Sequence, residues 1–180
     1  MRTFIALELP QAVKKELTNC QRELEKTWVQ ARWVKPDLSH LTLAFLGSIT
    51  PEKKEKIEAL LENTTKQVKP FSLHLQKING FPNLTNPRII FIDLGGEIEK
   101  LNLLTNLIRQ GLKKENLFFD QKPFVSHITL GRLKKKQNLK KIISQIKPEK
   151  GKFTADKVSL KQSTLTSSGS IYRTLKSLSL

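Results

Sequence analysis

A chain of 180 residues, 38% of them apolar, has the length and composition for one domain, or for two intimately packed lobes, with a real core. Its 32 Lys and Arg outnumber 16 Asp and Glu, a formal net charge of +16. Such a field attracts polyanions, nucleic acid or a phosphorylated ligand above all, with general solubility of a Lys-rich surface as the plain alternative. A single cysteine, Cys20, excludes an intrachain disulfide and Cys-rich zinc sites, and it fits a reducing compartment. No stretch approaches the ~20 apolar residues of a membrane span. The opening apolar run is too short, and too soon interrupted by Glu8, for a signal peptide. A soluble cytoplasmic protein is expected.

Residues 3–9 are short, apolar and bounded by Pro10, which predicts a strand followed by a helix with Pro in its first turn. From Gln11 to about Gln30, Val13, Leu17, Cys20 and Leu24 recur at helical spacing. Residues 31–36 lead from that helix to a strand at about 39–46, which Gly47-Ser48 is expected to break. Thr50-Pro51-Glu52 is a helix start, with a capping Thr, Pro at the first helical position and then an acid. That helix carries Ile57, Leu60 and Leu61 inward and ends before Pro70. Phe71 to Leu75 alternates as a half-buried strand does. A loop dense in turn formers is expected from Gly80 to Pro87, then an apolar strand from Arg88 to Leu94 closed by Gly95-Gly96. A second long helix fits about 97–114, a strand about 125–133, and a Lys-rich helix 137–147 ended by Pro148. Strands near 152–162 and 170–178, with a Ser/Thr/Gly turn at 163–169, close the chain. The loosely repeated order, strand, helix, strand, helix, strand, predicts an α+β fold of two similar lobes, each an antiparallel sheet with helices packed outside.

One pattern occurs twice. His40-Leu41-Thr42-Leu43 and His127-Ile128-Thr129-Leu130 both read His-x-Thr-Leu, and they hold two of the chain's 3 histidines. Residues i and i+2 of a strand share a face. His40 and Thr42 therefore project together from one strand, and His127 and Thr129 from another, while the aliphatic partners anchor the opposite face in the core. Two imidazoles flanking one phosphate form an acid–base pair. The unperturbed histidine pKa of about 6.5 lets a neutral and a protonated ring coexist near neutral pH. The threonine hydroxyls would donate to non-bridging oxygens where charge develops. This logic needs no metal or other cofactor, and no carboxylate–histidine cluster stands at ligand spacing. A zinc site built from all three histidines would leave the doubled threonine unexplained.

At these residues the chain resembles the RNA 2′,3′-cyclic phosphodiesterases (LigT-like or ThpR proteins, once called 2′-5′ RNA ligases) of the two-histidine, or 2H, phosphoesterase superfamily. The resemblance runs nearly the whole length, through residues 2–6, 40–47, 87–91, 127–132 and 168–175. It implies one domain, 1–180, of two pseudo-symmetric lobes with the active site in the cleft between them. It implies hydrolysis of an RNA 2′,3′-cyclic phosphate end to a 2′-phosphate. His40 would be the proton donor, His127 the proton acceptor, and Thr42 and Thr129 phosphate ligands. The chain departs from the family pattern at Ser126, where many relatives have Pro, and at Gly131-Arg132, where Ala-Arg is frequent.

Around these motifs, Arg132 suits a phosphate, with a solvent-facing rim charge as the alternative, and strict alternation turns it away from Thr129 unless a bulge or strand end re-aims it. Phe81, in a Gly-Pro loop, is the candidate for base stacking, whereas core packing is expected for Phe4 and Phe45. Lys134, Lys135, Lys136, Lys140 and Lys141 form a basic run, either a guide for the RNA backbone or a solvated helix face. His74 is expected as a half-exposed strand residue and Cys20 as a core residue. An RNA end is the expected partner, with no membrane and no obligate protein partner. The open alternatives are the reverse reaction (2′-5′ ligation), a phosphodiesterase for small cyclic phosphates, and a non-catalytic RNA-binding module.

Overall fold

Apolar residues at helical spacing bury one stripe of each long helix, and alternation in the strands buries the facing side of two sheets. The computed structural model describes residues 1–149, 151–167 and 169–180. Ser168, which belongs to the expected closing turn, lies outside them. In chain order the elements are β1 (Arg2–Leu7), α1 (Gln11–Lys26), β2 (Ala31–Trp33), β3 (Leu41–Ser48), α2 (Pro51–Thr65), β4 (Phe71–Phe81) and β5 (Ile89–Gly96), with a 3-10 turn at Pro36–Leu38. Then follow α3 (Ile98–Lys114), β6 (His127–Leu133), α4 (Lys140–Gln145), β7 (Lys152–Ala155), β8 (Lys157–Thr166) and β9 (Gly169–Ser179). The strands form a four-stranded sheet in the order β3-β1-β8-β9 and a five-stranded sheet in the order β2-β6-β5-β4-β7. Every strand pair is antiparallel. This is the expected α+β architecture of two sheet-based lobes. Among the described residues no helix is long and apolar enough to cross a membrane.

Buried stripes run along the helices as the spacing predicts: Val13, Leu17, Cys20 and Leu24 in α1, Ile57, Leu60 and Leu61 in α2, and Leu101, Leu104, Ile108 and Leu112 in α3. Thr50 caps α2 by accepting the Lys53 N–H. α3 packs on α2, β3 and β4.

Where boundaries differ from expectation, a long-range contact decides. α1 stops at Lys26, not near Gln30, because Thr27 and Trp28 turn back to the Leu24 and Glu25 carbonyls and Trp28 takes a left-handed φ of 63°. The chain is thereby released to form β2 on the edge of the other sheet. β4 runs past Leu75, through a bulge, to Phe81, because Ile78 to Phe81 find partners in β5 from Ile92 to Ile89. The strand expected over 152–162 breaks at Asp156 into two. β7 joins β4 in one sheet and β8 joins β1 in the other, so the chain changes lobes there. Gly47 and Ser48 end β3 inside the sheet, opposite Thr3 and Arg2, and do not break it. Gly95 and Gly96 likewise lie within β5. α4 is shorter than predicted, since the chain before it is irregular from Lys134 to Leu139 and the Leu139 N–H binds the Leu84 carbonyl.

The lobes exchange short edge segments. β2, which follows α1, pairs with β6. The segment after α3 returns to β3, where the Asp120 N–H donates to the Phe45 carbonyl at 2.9 Å. The buried side chain of Gln21 in α1 fastens the first exchange, its Nε2 donating to Val34 O at 2.7 Å and to Leu130 O at 3.0 Å.

Candidate active site

His40 stands one residue before β3 and His127 is the first residue of β6, and these two strands touch where the sheets meet. The core side of each arm is apolar. Leu41 and Leu43, and Ile128 and Leu130, are all 3% exposed or less. Each such side chain contributes on the order of 2 kcal/mol by leaving water. A one-residue slip of either strand would expose its aliphatics and bury its histidine, so packing fixes the orientation of the site.

On the other face His40, Thr42, His127 and Thr129 are half-buried. The two histidines are held alike. His40 Nδ1 lies 2.8 Å from the Leu38 carbonyl and His127 Nδ1 lies 2.7 Å from the Val125 carbonyl, in each case two residues back. A carbonyl only accepts, so each Nδ1 carries the proton and donates, which leaves each Nε2 unprotonated in the neutral ring. Among the described residues neither Thr42 nor Thr129 commits its hydroxyl to a protein partner.

The arms also share a β-bulge. Beside β1, Ile5 pairs with Ala44 and Ala6 with Thr42, which skips Leu43. Beside β5, Ile90 pairs with Gly131 and Phe91 with Thr129, which skips Leu130. The extra residue in each strand restores the lost alternation. Arg132, opposite Ile89, thus returns to the face of Thr129. Phe45, opposite Phe4, returns to the face of Thr42 and is 51% exposed. The expectation that Phe45 packs in the core is therefore wrong, because the bulge turns it outward.

Aromatic rings line both histidines. Phe4 is buried, but its ring stacks on His40 with centroids 4.6 Å apart, and Tyr172 meets His40 edge-on at 5.3 Å and Phe4 at 5.0 Å. Phe91 and Phe81 each meet His127 edge-on at 5.3 Å and stack on one another at 4.3 Å. Phe81 is thus a strand residue beside His127, and its expected position in a loop is corrected by the length of β4. Tyr172 is brought to His40 by the β8–β9 ribbon, a placement no local pattern signals.

Beneath His40 lies an ion pair that sequence reading missed. Lys161 Nζ donates to Glu8 Oε1 at 2.7 Å and to Thr174 Oγ1 at 3.2 Å. Lys161 is the cross-strand partner of Phe4, and Glu8 continues the Phe4-Ala6 face of β1. Period-two alternation on β1 is the one sequence signal that points to Glu8. Burial works against the Glu8 carboxylate. Hydrogen bonds from Lys161 and Ser159, with the Lys161 and Lys14 charges, outweigh it and hold the pKa below the usual glutamate value. Burial also holds the His40 pKa below the usual histidine value. The Leu38 carbonyl and Glu8 oppose that shift, and the positive field of Lys161 and the neighbouring His127 add to it. Across the site, Asp93 is the cross-strand partner of His127 and accepts from Asn79 Nδ2 at 3.1 Å.

The remaining candidates fall outside this cluster. His74 is half-buried on β4 opposite Lys152 and Gly95, and among the described residues no three His, Cys, Asp or Glu side chains are grouped to hold a metal ion. Cys20 is buried in α1. Lys134, Lys135, Lys136, Lys140 and Lys141 line the surface after β6, the first three in the irregular segment before α4 and not on a helix face.

Gly131 admits the edge strand. A Cβ there would come within 2.7 Å of Trp33 Cε3 and 3.2 Å of the Arg32 carbonyl. The Trp33 ring of β2 occupies the space that a β-carbon would take.

Comparison with known proteins gives the family and the fold. The LigT-like phosphoesterase family matches twice in tandem, over residues 7–91 and 92–172. An RNA 2′,3′-cyclic phosphodiesterase of Archaeoglobus fulgidus is 34% identical over 179 residues, covering 98% of each chain. One of Methanocaldococcus jannaschii is 31% identical over 188 residues, covering 98% of this chain and 99% of the relative. Among solved structures, that of a Thermus thermophilus protein aligns with a TM-score of 0.85 at 28% identity, covering 100% of this chain and 98% of that one. E. coli LigT complexed with 3′-AMP aligns with a TM-score of 0.82 at 23% identity, covering 99% and 97%, and speaks for the fold alone. With two tandem family matches, near-full-length relatives and a His-x-Thr arm in each half, this chain belongs to the LigT-like phosphoesterases.

Proposed function

We propose that this protein hydrolyses the 2′,3′-cyclic phosphate end of RNA to a 2′-phosphate without a metal ion, and that residues 1–180 act as one domain of two pseudo-symmetric lobes. The observation that carries the reading is the pair of matched arms, each with a bulge, a threonine hydroxyl without a protein partner among the described residues, and a histidine whose Nδ1 is committed to the carbonyl two residues back. It is supported by the relatives named above and by the net charge of +16. Water attacks phosphorus and gives a proton to His127 Nε2. The P–O3′ bond breaks, and the 3′ oxygen takes the proton carried by His40 Nε2. The products are a 2′-phosphomonoester and a 3′-hydroxyl, and solvent exchange resets the two rings.

Burial disfavours a protonated His40 in the free protein, but the negative charge of the phosphodiester favours it once substrate is bound. Thr42, Thr129 and Arg132 bind the non-bridging oxygens, whose charge grows in the transition state. Phe81, beside His127, gives the terminal base an aromatic surface.

An RNA oligomer ending in a 2′,3′-cyclic phosphate, incubated with the protein in excess EDTA, tests this reading by mapping the product phosphate. A 2′-phosphate is expected. No conversion, or conversion abolished by EDTA, overturns the proposal. His40→Ala and His127→Ala should each abolish turnover and largely keep RNA binding, and undiminished turnover in either would refute the two-histidine mechanism.

A further inference from the structure

The two arms are built alike from histidine through bulge, yet they differ five residues after each histidine, where one carries Phe45 and the other Arg132. The Phe45 side is aromatic, with Phe4 as cross-strand partner and Tyr172 beyond. The Arg132 side is cationic, because its outer cross-strand partner on β2 is Arg32. Directly opposed residues of an antiparallel pair place their Cβ atoms about 5 Å apart on the same face, and like charges there oppose pairing. Arg32 and Arg132 are both exposed, and among the described residues no carboxylate pairs with either.

The register that forces this repulsion is pinned. Val34 N–H donates to the Leu130 carbonyl at 2.8 Å and Lys134 N–H to the Gln30 carbonyl at 3.0 Å. Gln21 Nε2 bridges Val34 and Leu130, and Trp33 closes over Gly131. Two arginines are thus held opposite one another on the face that carries His127 and Thr129, with an anion as the natural third member. Allowing for the bulge, Arg132 stands two ladder positions from Thr129, roughly 7 Å along the strand, and Arg32 one strand further out, about 4.8 Å.

We propose that Arg32 forms a second anion subsite that takes the phosphodiester linking the terminal nucleotide to its 5′ neighbour, so that the RNA leaves the cleft over the β6–β2 edge. This rests on the phosphodiesterase reading above. The subsite selects oligonucleotides over single nucleosides, because a nucleoside 2′,3′-cyclic phosphate has no group to place against Arg32. On the aromatic arm Lys161 is committed to Glu8, so the two arms are unequal and the strand is accepted in one direction.

The test compares kcat/KM for a trinucleotide ending in a 2′,3′-cyclic phosphate with that for a mononucleoside 2′,3′-cyclic phosphate, in wild type and Arg32→Gln. Expected is a fall of about tenfold in the preference for the trinucleotide, carried by KM, and a log–log salt dependence of trinucleotide affinity shallower by about 0.7. Arg132→Gln should weaken both substrates. An unchanged preference in Arg32→Gln, or an equal loss for both substrates, overturns the subsite, with a thermal melt verifying that the variant is folded. Failure of wild type to turn over either substrate sinks the phosphodiesterase reading instead. The subsite is then decided by fluorescence anisotropy with a labelled trinucleotide 2′-phosphate, competed by nucleoside 2′-monophosphate. Loss of the trinucleotide advantage in Arg32→Gln supports it, and retention overturns it.

Discussion

Replacing Gly131 with Ala perturbs the contact that sets β2 against β6. The added Cβ would lie 2.7 Å from Trp33 Cε3 and 3.2 Å from the Arg32 carbonyl, about 1 Å inside ordinary carbon contact for the ring. Trp33 is half-buried, and the backbone on its other side is tied to β6 by the Val34 and Lys134 hydrogen bonds. Either the ring leaves its position or β2 moves outward. Overpacking of this kind costs about 1–3 kcal/mol. The stiffer unfolded chain of an alanine variant offsets about 0.4–1 kcal/mol of that. A net destabilisation of about 1–2 kcal/mol is expected in urea unfolding, at an unchanged m-value. Because Arg32 rides on β2, the trinucleotide preference should fall with it, while spectroscopic probes of the native α1 core stay as in wild type. Trimming the ring in the same chain, Gly131→Ala with Trp33→Leu, should cost less than the sum of the two single changes, since the smaller side chain relieves the clash that the alanine creates. A Gly131→Ala protein as stable as wild type, or more so, would refute the steric argument and with it the view that Trp33 determines where β2 lies.

Three further outcomes follow from the site and the core. The folded His40 pKa is depressed below its unfolded value of about 6.5, so the unfolded chain binds the proton more readily. Stability from this group is full above that value and is lost as pH falls from about 6.5 towards the folded pKa. Urea midpoints at about pH 7.5 and about pH 5.5, either side of the unperturbed histidine value, should therefore differ less for His40→Gln than for wild type, and an equal difference would count against a buried neutral imidazole. Thr129→Val keeps the shape and removes the hydroxyl, so kcat should fall roughly 10²-fold with the urea midpoint nearly unchanged. A comparable loss of stability would mean that the hydroxyl is structural. Burial pushes the Cys20 thiol up to about 12, with Glu16 adding to it, so a thiol reagent at about pH 8 should label the protein only as it unfolds. Fast labelling of the native state would contradict the placement of Cys20 in the core.

The amino-acid sequence by itself determined what is local. Period-two alternation dictates that His40 shares a face with Thr42 and His127 with Thr129, and that their aliphatic neighbours lie inward. Helical spacing dictates the buried stripes of α1, α2 and α3, and the Thr50-Pro51 pair the start of α2. The doubled motif identifies the family, since it repeats residue types that one strand alone would not need. Only the tertiary structure decided what depends on a partner strand. The bulges at Leu43 and Leu130 exist because β1 and β5 impose their registers, and these bulges bring Arg132 and Phe45 round to the faces of Thr129 and Thr42. The same dependence moves β2 to the other sheet, divides 152–162 between two sheets, carries β4 to Phe81, and brings Tyr172 and the Glu8–Lys161 pair under His40. Cross-strand pairing joins residues far apart in the chain, and its register is set by packing and sheet membership, for which a window of neighbouring residues carries no signal.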